Sequence, residues 1–159
     1  MKKLFIYLPI SFLLFFLDQL SKIAILKNFS LGESKPIVKY FNITYVQNTG
    51  TIFGFLNGEK TFIKHIVLTI LPLGICLYLV YSLIQSIKKN FTLSSIAYSL
   101  VLGGALGNMY DRIFRGFVID FLDFYFKDYH WYCFNIADSC ITIGITLLLF
   151  DQYLNKAQS

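Results

Sequence analysis

Residues 4–26 read LFIYLPISFLLFFLDQLSKIAIL, and the rest of the chain is best interpreted outward from this run. A helix needs about 20 predominantly apolar residues to cross the hydrocarbon core of a bilayer. The run meets that length and contains two charged side chains, Asp18 and Lys22. It is longer than the apolar region of a secretory signal peptide, and no small-residue cleavage site follows it. We therefore predict a retained membrane span.

Three further apolar stretches follow this first span of about 4–26, at about residues 62–87, 93–111 and 136–154. Hydrophobic residues make up 56% of the chain and charged residues 14%. A soluble domain has about 25% charged residues, so much of this surface is expected to face lipid. We predict a single membrane domain over residues 1–159 with a membrane all-α fold, a four-transmembrane-helix bundle.

A small β-sheet element is predicted between the first two spans, over about residues 36–56. Apolar and polar residues alternate there, with many β-branched and aromatic side chains, and Asn48-Thr49-Gly50 is typical of a turn. The pattern therefore predicts a strand–turn–strand unit. Such a unit can lie on the outer face of the membrane with its apolar side down, because its backbone groups pair within the sheet.

Lysines near the ends of the spans predict the orientation of the chain. Lys2 and Lys3 precede the first span, Lys88 and Lys89 lie between the second and third, and Lys156 follows the fourth. Positively charged residues are enriched in cytoplasmic loops, so we expect both termini in the cytoplasm and the two longer loops outside.

The net charge of +5 does not indicate nucleic acid as a partner, because the lysines and arginines are scattered without a basic stripe. Membrane lipids are the partners that such a distribution favours. The three cysteines have irregular spacing, which is not the pattern of a disulfide framework. His130 and Cys133 would supply two of the four ligands of a structural zinc, so no metal site is predicted.

Charged residues inside membrane spans are costly and are therefore candidates for a functional site. In the first span Ser11, Asp18 and Lys22 share one helical face. Asp18 and Lys22 also have the four-residue spacing of a helical ion pair. Two interpretations stay open at this point, because the pair either joins helices within the bundle or belongs to a functional site.

The third span ends in a second polar cluster, GGALGNMYDR at residues 103–112. Its glycines favour close packing of helices. Asn108, Asp111 and Arg112 share a face at three- and four-residue spacing. A helix C-terminus disfavours a carboxylate, so Asp111 needs a cationic partner, for which Arg112 and Lys22 are the candidates.

Two further carboxylates, Asp120 and Asp138, are expected on the outer side. Asp120 has apolar residues on both sides, where loss of hydration raises the pKa of a carboxyl group. Asn135 is a good N-cap for the fourth span, and Asp138 takes the third helical position, as in a capping box. The helix N-terminus then favours the charged form of Asp138. Thr142 and Thr146 continue the same face and are predicted to point into the bundle.

Two acidic groups in different environments are typical of an acid–base pair, which favours hydrolysis by Asp120 and Asp138. Two other classes of protein stay open on the residues alone. A small transporter or channel also carries charges within its spans, and a non-catalytic assembly factor would need only glycine packing and ion pairs. A serine nucleophile is disfavoured, because the two histidines, His65 and His130, lie in unrelated segments.

Five segments, taken in order, resemble the bacterial lipoprotein signal peptidase family, also called signal peptidase II. Each segment alone is a weak signal, but their order on a four-span plan is specific, and together they extend over nearly the whole chain. The chain departs from the family after the second segment, where Thr51 and Ile52 stand in place of two small residues. The segments are DQLSK at 18–22, NTG at 48–50, GGALGNMYDR at 103–112, VIDF at 118–121 and FNIADS at 134–139.

The resemblance implies an aspartic endopeptidase that removes the signal peptide of a prolipoprotein just before a diacylglyceryl-modified cysteine. It implies a catalytic pair formed by Asp120 and Asp138, no cofactor, and inhibition by globomycin-like compounds. We expect a monomer in the bacterial cytoplasmic (inner) membrane, with the active site toward the outer face. The residues to which the resemblance gives supporting or substrate-binding roles are Asn48, Gly50, Asn108, Asp111, Arg112, Asn135, Asp18 and Lys22.

Overall fold

A computed structural model describes residues 4–50 and 70–157. Within these ranges the chain forms helices and short strands in the order α1 (Leu4–Asn28), β1 (Ser34–Val38), β2 (Phe41–Asn48), α2 (Leu71–Lys88), α3 (Thr92–Phe114), β3 (Val118–Phe126), β4 (Tyr129–His130) and α4 (Ile136–Ala157). Some features discussed above lie outside the described residues, namely Lys2, Lys3, Thr51, Ile52, His65, the end of the predicted β-element and the beginning of the predicted second span.

Three of the described helices, α1, α2 and α4, are long and apolar enough to cross a membrane. The third predicted span is also a helix, α3, which has 23 residues but is richer in serine and glycine. The composition of α3 has a physical reason. This helix packs against each of the other three, so its small side chains face protein where an outer helix would face lipid. The fold is mostly helical, and the count of four spans stays a prediction.

Glycines bring α1, α3 and α4 into close contact, as the sequence predicts. A Cβ on Gly103 would lie 2.8 Å from a backbone oxygen of α1, and one on Gly107 would lie 2.5 Å from a carboxylate oxygen of Asp18. A Cβ on Gly104 would collide with the backbone carbonyl of Ala137, in the first turn of α4. Because no larger side chain fits without moving a helix, these glycines determine how close the three helices lie.

The strands form one antiparallel sheet in the order β1-β2-β3-β4. The chain reverses between β1 and β2 at Lys39 and Tyr40, where Tyr40 has a φ of 72°. The sequence pattern did not predict this turn, because asparagine and glycine adopt positive φ more readily than tyrosine and drew the prediction to Asn48-Thr49-Gly50, after which the predicted second strand lies outside the described residues. That segment is a tight turn as well, since the Gly50 N–H donates to Asn48 Oδ1 at 2.9 Å.

Strand β3 is an element that the sequence pattern did not predict, because its segment was expected to be a loop. It pairs with β2 so that Val46 lies opposite Asp120 and Asn48 lies opposite Val118. Buried side chains of the sheet pack against Ile25 at the end of α1 and against the beginning of α4. The sheet therefore covers the end of the bundle at which α1 ends and α4 begins.

The predicted polar face of α4 does not continue into the bundle. Thr142 and Thr146 are exposed, and the Thr146 hydroxyl donates to the Thr142 backbone carbonyl at 2.8 Å. A threonine that satisfies its hydroxyl within its own helix can face lipid, so the prediction is wrong for these two residues. Polar contacts of α4 with the other elements lie in its first turn, around Asp138, and near its other end, where Asp151 accepts a hydrogen bond from Ser94 of α3.

Candidate active site

Asp120 lies on β3 with 2% of its surface exposed. Asn48 Nδ2 donates to one of its carboxylate oxygens at 3.0 Å, and Asn135 Nδ2 donates to the other at 2.7 Å. Burial raises the pKa of the Asp120 carboxyl from 3.8 to about 6; the hydrogen bond from Asn48 opposes this rise, and the charge of Asp138 adds to it. The predicted rise in the pKa is confirmed, so Asp120 keeps its proton to a higher pH than a carboxyl in water.

Asp138 lies in the first turn of α4 and forms the predicted capping box with Asn135. The Asp138 N–H donates to Asn135 Oδ1 at 2.9 Å, and the Asn135 N–H donates to Asp138 Oδ2 at 3.3 Å. Asn108 Nδ2 donates to the other oxygen of Asp138, Oδ1, at 2.7 Å. Both carboxylate oxygens therefore accept hydrogen bonds, and the positive end of the helix dipole favours a negative charge at this position.

Two asparagines link the carboxylates. Asn135 Nδ2, which donates to Asp120, also donates to Asn108 Oδ1 at 3.1 Å, and Asn108 donates in turn to Asp138. Asp120 and Asp138 belong to β3 and α4, yet they converge on the same pair of amides. The convergence predicted on the outer side is thus present in the fold, with a buried polar chain between the two acids.

A buried lysine lies beneath this chain. Lys22 has 0% exposed side-chain surface, and its Nζ contacts Asp18 Oδ2 at 2.8 Å, Asp111 Oδ2 at 2.8 Å and Asn108 Oδ1 at 3.0 Å. These three acceptors match the three donors of an ammonium group. Lys22 is therefore fully satisfied by the protein, and Asn108 links it to Asp138.

The cationic partners of Asp111 are Lys22 and Arg115. Of the two candidates from the sequence, Lys22 is confirmed and Arg112 is wrong, because the Arg112 guanidinium donates weakly to the Asn108 backbone carbonyl at 3.5 Å. Arg115 pairs with Asp111 at four-residue spacing. The rule for i,i+4 pairs gives a signal for Arg115 that the sequence analysis did not use.

Gln19 is a second residue that the sequence analysis missed, although it follows Asp18 directly. Its Nε2 donates to Asp18 Oδ2 at 3.1 Å, to the Gly107 carbonyl at 3.2 Å and to Asp111 Oδ1 at 3.3 Å. Its Oε1 accepts a hydrogen bond from Arg115 at 2.8 Å. Both atoms of the amide thus have partners, and the glutamine joins α1 to α3 within the buried network.

Asp18 and Asp111 each hold one of the segments that carry the two outer carboxylates. Asp18 Oδ1 accepts a hydrogen bond from the Ala137 N–H at 3.0 Å, next to Asp138. Asp111 Oδ2 accepts one from the Ile119 N–H at 3.3 Å, next to Asp120. Of the two interpretations left open for Asp18 and Lys22, the joining of helices is present, because Lys22 pairs with Asp111 of α3 and Asp18 accepts from Ala137 of α4. Their part in a functional site stays a prediction.

A cleft of about 810 Å³ opens beside Asp120. One wall is the end of β2 with the turn at Asn48 and Gly50, and the other wall contains Trp131 and Tyr132. The size suits a bound ligand, and the turn at Asn48 and Gly50 lines the cleft together with Asp120. Among the residues that the structure describes, no group of histidine, cysteine or acidic side chains is arranged to hold a metal ion.

A comparison with known families matches a family model described as "Signal peptidase (SPase) II" to residues 10–154. The chain belongs to the signal peptidase II family. The lipoprotein signal peptidase of Pasteurella multocida (strain Pm70) is 43% identical over 150 residues, which are 94% of this chain and 90% of that protein. That of Photorhabdus laumondii is 45% identical over 139 residues, 87% of this chain and 82% of that protein.

Solved structures of bacterial membrane enzymes have a fold similar to that of this chain. A bacterial membrane enzyme determined by the in meso method at 1.9 Å resolution has a TM-score of 0.80 with this chain and 33% sequence identity, covering 91% of this chain and 90% of that one. A second, determined at 2.3 Å resolution, has a TM-score of 0.79. As a signal peptidase II, the protein is a membrane protease that processes the signal peptides of prolipoproteins.

Most of the residues that the sequence assigned to the signal peptidase site meet in one network. The exceptions are Arg112 and Gly50. Arg112 lies at the edge of the network, where it contacts the Asn108 backbone carbonyl, and Gly50 is connected to the network through the turn that it forms with Asn48. The residues that the network brings together are Asp18, Lys22, Asn48, Asn108, Asp111, Asp120, Asn135 and Asp138.

Proposed function

We propose that this signal peptidase is of the aspartic type and that Asp120 and Asp138 are its catalytic pair. The observation that carries the proposal is the convergence of a buried carboxyl of raised pKa and a carboxylate at a helix N-terminus on Asn108 and Asn135. Environments that separate the pKa values of two neighbouring acids assign one as the acid and the other as the base.

In the proposed mechanism Asp120 is protonated and donates a hydrogen bond to the carbonyl oxygen of the scissile peptide bond. Asp138 is ionised and takes a proton from a water molecule, which attacks the carbonyl carbon. The tetrahedral intermediate collapses as the C–N bond breaks, and the leaving amine takes the proton from Asp138. The products are a free carboxylate on the signal peptide and a free amine on the cysteine that carries diacylglyceryl.

Supporting roles follow from the contacts of each residue. Asn48 and Asn135 orient the Asp120 carboxyl, and Asn108 orients Asp138. An amide donates a hydrogen bond without adding a charge, so these contacts position the acids and leave their proton chemistry available. Gly50 keeps the turn beside the cleft tight, and the proposed role of Arg112 is to orient the substrate backbone, as the family resemblance implies.

The substrate is a lipid-modified prolipoprotein, and its lipid is part of what the enzyme binds. The chain works as a monomer and a single domain over residues 1–159, with four spans in the bacterial cytoplasmic membrane and the cleft on the outer face. Membrane lipids surround the spans, and globomycin-like compounds inhibit by filling the cleft. Labelling of a cysteine at position 88 by an impermeant reagent in intact cells would contradict this orientation.

The experiment is cleavage of a purified lipidated precursor by single-substitution variants in detergent. Asp120→Asn and Asp138→Asn are each expected to lower the turnover at least 1,000-fold, because each removes one proton carrier from the pair. Asp128→Asn makes the same chemical change in the exposed turn before β4 and is expected to have normal turnover. Near-normal turnover in either dyad variant, with wild-type thermal unfolding, would exclude the assignment.

A further inference from the structure

A second cavity lies at the end of the bundle remote from Asp120 and Asp138. It is a groove of about 450 Å³ between α2 and α4, with the beginning of α3 beneath it. Helices α2 and α4 both pack on α3, so they separate enough to leave the groove open toward the lipid. Pockets that hold small ligands have volumes of this order.

Polarity changes along the groove in one direction. Lys89, Gln152 and Asn155 line the part where α2 and α4 end, and Tyr78 and Leu148 line the part nearer the middle of these helices. Lys89, directly after the end of α2, follows Tyr78 by eleven positions, which is roughly 16 Å along a helix. A phospholipid changes from polar to apolar in the same direction and over a similar length.

The polar part of the groove contains one charge of each sign. Lys89 and Asp151 both line it, and Asp151 accepts a hydrogen bond from Ser94 on α3. In residues 4–50 and 70–157 neither Lys89 nor Asp151 takes part in an ion pair. A carboxylate on a membrane helix is costly without a cation, so a ligand with an ammonium group would complete the site.

We propose that this groove binds one aminophospholipid, a zwitterionic lipid whose headgroup has a phosphate and a primary ammonium. The phosphate lies at Lys89 and the ammonium at Asp151, and the acyl chains run past Tyr78 and Tyr81, which are 63% and 60% exposed. An anionic lipid without an ammonium would place its negatively charged phosphate near Asp151, with no positive charge on the lipid to offset the repulsion. A basic peptide segment would be repelled by Lys89.

The test measures lipid binding to the full chain by native mass spectrometry in detergent. The probes are phosphatidylethanolamine and phosphatidylglycerol with identical acyl chains, added separately at equal concentration. The wild-type protein is expected to prefer phosphatidylethanolamine. Asp151→Asn is expected to weaken phosphatidylethanolamine binding about fivefold without weakening phosphatidylglycerol binding, because only the first lipid has an ammonium group for Asp151 to pair with.

Lys89→Gln is the second variant, expected to weaken both lipids because both have a phosphate. Its side chain is exposed, so the substitution leaves the fold intact. Asp128→Asn is the matched control and is expected to bind both lipids as the wild type does. Both groove variants are expected to cleave precursor at the wild-type rate, since the groove is remote from Asp120 and Asp138.

Two results would overturn the proposal. The first is that Asp151→Asn binds phosphatidylethanolamine as the wild type does, or that its binding of both lipids is weakened to the same extent. The second is a raised KM for precursors with a basic N-terminal segment in Asp151→Asn while its lipid binding stays normal. The groove would then be a docking site for the substrate peptide and not for a lipid.

Discussion

At the scale of single residues, an amide side chain, Asn108, lies between the positive charge of Lys22 and the two proposed catalytic acids. Lys22 lies close enough to influence Asp120, yet its Nζ contacts Asn108 and the carboxylates of Asp18 and Asp111. A direct ion pair between Lys22 and Asp120 would hold Asp120 ionised at neutral pH. Because Lys22 contacts Asn108 and not Asp120, burial keeps the pKa of Asp120 raised, at about 6, while the buried network remains electrically balanced.

The raised pKa of Asp120 predicts how stability depends on pH. Between pH 4 and pH 6 the unfolded chain loses this proton while the folded protein keeps it, so the folded state binds more protons and stability falls as the pH rises. A rise from 3.8 to about 6 corresponds to roughly 3 kcal/mol. The wild type should therefore lose about 2 kcal/mol of this relative to Asp120→Asn between pH 4 and 6.5, measured by denaturant unfolding in detergent. A stability difference that stays constant over this range would contradict the assignment.

Asp111 is predicted to act through positioning. Asp111→Asn leaves Arg115 without its carboxylate and Lys22 with one anionic partner in place of two. Loss of one member of a buried ion pair lowers the free energy of unfolding by about 3–5 kcal/mol. Thermal unfolding of the purified variant should show this loss, and cleavage should recover in part at low temperature. Full thermal stability combined with no cleavage would instead assign Asp111 to the chemistry.

Local residue patterns predict part of this site. The apolar neighbours of Asp120 predict its raised pKa, and the three-residue spacing of Asn135 and Asp138 predicts the capping box. Contacts between distant segments have no such signal. The hydrogen bond from Asn108 to Asp138 and the ion pair of Lys22 with Asp111 depend on how the helices pack, which spacing along the chain does not encode.

At the scale of elements, α3 holds the site together because it lies among the other helices. Its small residues let α1 and α4 approach, and this approach allows side chains on α1 to reach the first turn of α4. The glycines of α3 predict this packing from the sequence. The strand character of β3 was missed because an aspartate within an apolar run fits both a buried strand and an exposed loop.

Close packing at Gly104 predicts a substitution that damages the site from a distance. Gly104→Ala places a Cβ against the backbone of Ala137, beside Asp138, and overpacking of this kind lowers stability by about 1–3 kcal/mol. We expect lower thermal stability and at least a tenfold loss of cleavage. Gly74→Ala on α2 is the control, because no atom of the described residues lies within 4 Å of the added Cβ, and alanine favours a helix by about 1 kcal/mol. Equal behaviour of the two variants would contradict the packing account.

At the scale of the whole molecule, we expect the sheet and its exposed aromatic side chains to place the cleft at the level of the lipid headgroups. Phe126, Tyr129, Trp131 and Tyr132 are between 61% and 85% exposed, and the last two line the cleft. Aromatic side chains are enriched at membrane–water interfaces. The composition, with its many aromatic residues, predicts the membrane fold. The pairing of β2 with β3 that forms the cleft depends on strand register, which composition does not specify.

This position predicts that the lipid on the substrate assists cleavage. A diacyl anchor contributes about 0.8 kcal/mol for each buried CH₂, so it confines the modified cysteine to the depth of the site. A membrane-anchored precursor that lacks diacylglyceryl on its cysteine should therefore be cleaved at least tenfold more slowly than the lipidated one. Turnover of the two precursors in the same proteoliposomes checks this. Equal rates would mean that the enzyme does not recognise the lipid.

The central claim is that Asp120 and Asp138 act as one catalytic unit, and single-turnover cleavage by the double variant tests it most directly. Residues that act together are non-additive, because removal of one already disables the other. With enzyme in excess over lipidated precursor, Asp120→Asn combined with Asp138→Asn should be no slower than the slower single variant. If instead the two losses multiply in the double variant, each aspartate contributes independently and the account of a catalytic pair is wrong.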